Sequence, residues 1–120
     1  MASLKEKSIC LMSTTTGVDT KTAAATTLFI VPPGKSFIPT MVIIRNNSVS
    51  LAGGTSYSFT NWLQTIDLSG LTVTNGYRVL QSVTNTTYTP IPAGSAFQIT
   101  VTNGSTRAST SVFDVFGYLI

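Results

Sequence analysis

Two stretches of this chain are apolar on both sides of an extended backbone. Side chains alternate across a strand. In Ser111–Ile120 one side carries Val112, Asp114, Phe116, Tyr118 and Ile120, and the other Phe113, Val115, Gly117 and Leu119. In Phe37–Arg45 the apolar residues Ile38, Met41, Val42, Ile43 and Ile44 likewise fall on both sides. A half-exposed antiparallel strand would instead alternate apolar with polar. Such an alternation is present in Phe97–Thr102, where Phe97, Ile99 and Val101 interleave with Gln98, Thr100 and Thr102. The pattern therefore predicts two kinds of strand. Phe97–Thr102 has one wet face, whereas Phe37–Arg45 and Ser111–Ile120 are covered on both, by the domain itself or by a neighbouring subunit.

Around these, strand-forming Val, Ile, Thr, Phe and Tyr predominate, punctuated by Gly, Pro and Asn-Gly. Further strands are predicted at Ser8–Ser13, Thr27–Val31, Tyr57–Trp62 and Tyr77–Ser82, with a polar strand run over Val83–Thr89. Pro32-Pro33-Gly34 and Pro90–Gly94 read as turns, because Pro presets φ and Gly accepts positive φ. Pro39 suits a strand start or an edge. Thr14–Thr26 admits a helical turn, and Trp62, Leu63, Ile66 and Leu71 sit near helical spacing. Asn75-Gly76 predicts a hairpin between Thr72–Thr74 and Tyr77–Ser82. Phe97–Thr102 and Ser111–Ile120 read as a second hairpin. T-V-T-N-G occurs at Thr72–Gly76 and again at Thr100–Gly104, and Pro33-Gly34 and Ala93-Gly94 precede apolar strands by similar offsets. Either a duplicated half or convergent turn chemistry accounts for this. Many short strands in 120 residues predict one all-β domain over residues 1–120, an antiparallel, jelly-roll-like β-sandwich with residues 1–7 as an N-terminal arm.

Composition sharpens that picture. Charged residues make up 9% of the chain, against roughly 25% in ordinary soluble domains, and mean hydropathy is +0.32. Ser, Thr and Asn must carry solubility, a surface better suited to burial in an assembly than to a dispersed monomer. Net charge is +3, but the bases are scattered singly, unlike the clustered patches of nucleic-acid binders. The single Cys10 excludes an intrachain disulfide and reads as a small buried hydrophobe. Lys5 and Lys7 precede a short apolar run of four residues, below the roughly 7–15 of a signal-peptide core. The chain is expected to be made and kept in a cytoplasm, or assembled there into something larger.

The chain has no His, so the commonest general base and metal ligand is missing. Of four acids, only Asp67 and Asp114 could form a glycosidase-like pair. Asp67 reads as a turn residue. Asp114, inside an apolar strand, needs a partner. Arg45, Arg78 and Arg107 are candidates, and the Asp114–Arg107 ion pair is the one singled out. No catalytic, cofactor-binding or metal site is predicted. Tyr57, Trp62, Tyr77 and Tyr88 could line a sugar platform or anchor a protein interface.

The ending F-D-V-F-G-Y-L-I, with I-P-A-G-S-A-F-Q-I-T-V-T and V-P-P-G-K-S-F-I before it, resembles small virion proteins of tailed bacteriophages, in particular capsid decoration (cement) proteins. The likeness covers mainly Phe29–Ile44 and Pro90–Ile120. It implies a non-enzymatic homo-oligomer, a trimer in the family pattern, on the outer capsid surface. There it would bind the assembled major capsid protein and stabilise the shell, with neither nucleic acid nor membrane as partner. Expected contacts are Val112, Phe116, Tyr118 and Ile120 for association, and Lys5 and Lys7 of the arm for the capsid. A carbohydrate-binding module of a phage fibre or host-adhesion structure is the alternative.

Overall fold

In the computed structural model, which describes residues 10–62, 65–73, 76–81 and 90–120, successive strands go to opposite sheets. The strands are β1 (Cys10–Asp19), β2 (Ala25–Ile30), β3 (Phe37–Arg45), β4 (Ser56–Phe59), β5 (Tyr77–Gln81), β6 (Ala96–Asn103) and β7 (Thr110–Leu119). Odd-numbered strands form a four-stranded sheet, β1-β7-β3-β5, and even-numbered ones a three-stranded sheet, β2-β6-β4. The pairs β1–β7, β2–β6 and β3–β5 are antiparallel and nested, as in one long hairpin folded over on itself. The pairs β3–β7 and β4–β6 complete the sheets. This is the winding of a jelly roll, whose full form has eight strands. Beside β4, where an eighth would lie, Ile66 makes a single antiparallel bridge to Tyr57, with N–O distances of 3.1 and 2.7 Å.

That winding overturns both predicted hairpins. β6 and β7 do not pair; they lie in different sheets. Their connection crosses over, held as Ser105 N donates to Thr20 O (3.0 Å), Thr106 N to Ala52 O (2.7 Å) and Thr20 N to Ser109 O (3.0 Å). β5 pairs with β3, from Met41–Gln81 to Arg45–Tyr77, rather than with residues before it. Thr74 and Asn75 lie outside the described residues, as do Ser82–Thr89. The two copies of T-V-T-N-G differ accordingly. Thr100–Asn103 belongs to β6, while Thr72 and Val73 are in no strand.

The predicted helical turns are also replaced. β1 runs on through the Thr-rich stretch to Asp19, and the described residues of 63–71 hold a bridge and a turn. β3 has the predicted bounds, and Pro39 is its third residue, near the strand start and before the stretch from Met41 that pairs with β5. It is accommodated by a bulge between Pro39 and Met41, opposite Gly117. There the backbones come so close that a Cβ on Gly117 would lie 2.2 Å from the Ile38 carbonyl oxygen. Only glycine fits this crossing.

The core forms where the inward sides of the sheets meet. Val42, Ile44, Phe113 and Val115 come from the four-stranded sheet, and Tyr57, Phe59, Phe97, Ile99 and Val101 from the three-stranded one. Phe37 and Phe97, each following a Pro-x-Gly turn, meet edge-to-face at 5.7 Å. Phe29 and Phe59 extend the cluster at 5.0 and 5.6 Å. In these turns Gly34 and Gly94 take φ of 74° and 80°, the left-handed conformation glycine adopts without steric cost. Along one seam, Ser13 Oγ and Thr15 Oγ1 of β1 donate to Leu28 O of β2 (2.7 and 3.4 Å), joining the sheets. Ile120, just past β7, exchanges two 2.9 Å backbone hydrogen bonds with Ser36, so the backbone stays tied down beyond the strand end.

Candidate interaction surface

The two outer faces of the sandwich have opposite chemistry. Residues opposite one another in a ladder share a face, so register and burial identify each side. On the three-stranded sheet, the outward positions include Ser58, Thr100, Gln98 and Thr27. Gln98 Nε2 donates to Thr27 Oγ1 at 3.1 Å, and at the end of β6 Asn103 Nδ2 donates to Thr55 Oγ1 at 2.7 Å. Ile30 is the large apolar exception, 63% exposed.

On the four-stranded sheet the outward rows are mostly apolar. Leu11, Phe116, Met41 and Gln81 form one row, with Ile38 and Tyr118 beside it. Thr14, Asp114, Ile43 and Val79 form the next, followed by Val112, Arg45 and Tyr77. Leu11, Tyr77 and Val79 are 55, 69 and 41% exposed. Val112 is buried yet stands outside the core cluster, because it lies in this outer layer.

At the centre of the face is its one described charge pair. Arg45 Nε donates to Asp114 Oδ2 at 2.8 Å and Nη2 to Oδ1 at 3.4 Å. Thr14 Oγ1 donates to Oδ1 at 2.7 Å. Burial of the carboxylate is thereby compensated from both neighbouring strands. The Arg45 hydrogen bond holds the Asp114 carboxyl below its usual range, with Thr14 helping and burial opposing. Arg45 itself is pushed up by the same contact. Asp114 therefore pairs with Arg45, not with Arg107. Arg45 is diagonal to Asp114 in the β3–β7 ladder, within reach of a long side chain. Arg107 is exposed in the loop before Thr110, and Asp114 is roughly 13 Å further along the strand.

Of the predicted contact residues, Val112, Phe116 and Tyr118 all fall on this outer face, while Ile120 lies just past the strand end, 57% exposed. Lys5 and Lys7 lie outside the described residues. Sequence reasoning missed Leu11, Thr14 and Val79. The signal for Val79 was its alternation with Tyr77 about Arg78, masked by the hairpin assignment. Cys10 is exposed rather than buried, opposite Gly117 at the start of β1.

The aromatic row proposed for sugars does not form. Tyr57 is 0% exposed, its hydroxyl donating to Thr20 O at 2.8 Å, and Trp62 is 5% exposed against Phe59. Tyr77 belongs to the apolar face, and Tyr88 lies outside the described residues. The carboxylates of Asp19 and Asp67 are engaged as well. Asp19 accepts from Lys21 N and Thr22 N, at 2.8 and 3.1 Å, and Asp67 from Ser69 N at 2.8 Å. Hydrogen bonds from the Thr22 and Ser69 side chains, with those backbone contacts, hold both carboxyls below the usual range. This arrangement leaves a largely apolar outer plane on the four-stranded sheet, backed by the packed core. No family model, curated protein or solved structure matches this chain.

Proposed function

We propose that this chain is a non-enzymatic structural protein of the virion, a capsid decoration protein made in the host cytoplasm. It docks on the assembled major capsid protein and stabilises the shell. The observation that carries the reading is the outer face of the four-stranded sheet, an apolar plane too continuous for a protein that stays dispersed. A jelly roll alone would not support it, since folds of this kind host many functions.

The mechanism is linkage. A module that binds the assembled shell and not its dispersed subunits stabilises the shell by mass action, by about 2.7 kcal/mol when present at a hundred times its dissociation constant. The test is co-sedimentation with purified, genome-free expanded shells, followed by heating. Saturable binding and a higher disruption temperature are expected. A protein that stays in the supernatant at every concentration, leaving the shell's melting unchanged, would refute the reading.

A further inference from the structure

We propose that the outer face of the four-stranded sheet seats a second copy of itself, so that two chains pack sheet against sheet about a twofold axis. The inference rests on the assembly role proposed above and assigns this face to contact between copies of the chain rather than to the shell.

Three observations favour a second copy. The first is area. Strands about 4.8 Å apart, with residues rising about 3.4 Å, give this four-stranded face a flat area of roughly 500–600 Å². Two such faces in contact remove roughly 1,100 Å² or more, above the ~1,000 Å² a specific interface needs. The second is charge. Among the described residues the face holds one positive and one negative group, Arg45 and Asp114, already joined at 2.8 Å. Those residues give it no net charge with which to select a basic or acidic partner. With these charges already paired within each chain, the face sets no like charges against each other when it meets a copy of itself, as an isologous interface requires. The third is contrast. The opposite face has a hydroxyl and amide coat that water satisfies, so only one face gains by being covered.

A twofold contact makes a dimer, whereas the family resemblance implies a trimer, so mass in solution discriminates between them. Sedimentation equilibrium of the intact chain is expected to give twice the 12.7 kDa of one chain. The double variant Tyr77→Lys, Val79→Lys changes two exposed side chains of the face. It is expected to sediment as a folded monomer, with unchanged circular dichroism and cooperative melting. Ile30→Lys, an equally exposed apolar site on the other sheet, is expected to remain a dimer. A wild-type monomer or trimer, or a double variant that still dimerises, overturns the proposal. Shell co-sedimentation separates this from the docking role. A wild-type monomer that binds shells, and loses binding with the double variant, would assign the face to the capsid. That result would refute the dimer and leave the decoration role standing.

Discussion

The two outer faces of this sandwich differ although both sheets rest on the same core. On the three-stranded side, Gln98, Thr100, Thr27 and Ser58 meet water with hydroxyls and amides. On the four-stranded side, Phe116, Met41, Ile43, Val112 and Tyr77 occupy the equivalent outward positions. The difference teaches what each layer is for. Inward residues stabilise the fold whichever sheet they come from. Outward residues do not fill that core, and on only one sheet are most of them apolar. The part of a hydrophobic outer layer that stays exposed adds little to the stability of a lone chain, and becomes favourable when it is removed from water.

The largest expected effects erase the comparison. Phe37→Ala in the four-stranded sheet and Phe97→Ala in the three-stranded one each remove a fully buried ring from the same aromatic cluster. Each is expected to destabilise by about 3–5 kcal/mol, read as a fall in the urea midpoint. A cost several-fold smaller on one side would mean that the two sheets do not share one core.

Smaller effects sharpen the comparison at the outer layers. Asp114→Asn weakens the contacts to Arg45 and Thr14, and is expected to cost about 1–2 kcal/mol, moderated by the solvent access of Arg45. Gln98→Ala on the opposite face should stay within about 0.5 kcal/mol. The same pair gives a pH signature. The folded pKa of Asp114 is depressed, so its stabilisation is fully present above the unfolded value of about 3.9 and is lost as pH falls through the folded value. Asp19 and Asp67 act in the same direction. Stability is therefore expected to decline below about pH 4, and the decline to be shallower in Asp114→Asn. Identical acid-unfolding curves for the two proteins would contradict the assigned role of the pair.

Much of this contrast was legible from patterning. Apolar residues on both sides of Phe37–Arg45 and Ser111–Ile120, against alternation in Phe97–Thr102, separate the strands of the dry face from the strand with a wet one. The turns at Gly34 and Gly94 followed from Pro-Gly chemistry. Strand pairing did not, because hairpin rules are local and a jelly roll sends each successive strand to the other sheet. Thus β6 and β7 were joined as neighbours when the chain crosses between them, and Tyr77–Gln81 was given to the residues before it when it pairs with β3. The partner of Asp114 went astray for the same reason. Arg107 is nearer in sequence, but Arg45 is brought alongside by the β3–β7 ladder. β1 was cut short because Thr suits both loops and strands. Its role as the edge of the apolar face, with Leu11 and Thr14, depends on pairing with the far end of the chain.

The central claim is that one outer face is covered in the functional state and the other is not. Hydroxyl-radical footprinting across a concentration series measures this directly, residue by residue. As concentration rises, oxidation of Met41, Tyr77, Phe116 and Tyr118 is expected to fall together, while that of Ile30 stays constant. Protection of Ile30, or undiminished oxidation of Tyr77 and Met41 at the highest concentration and on added shells, would contradict the account.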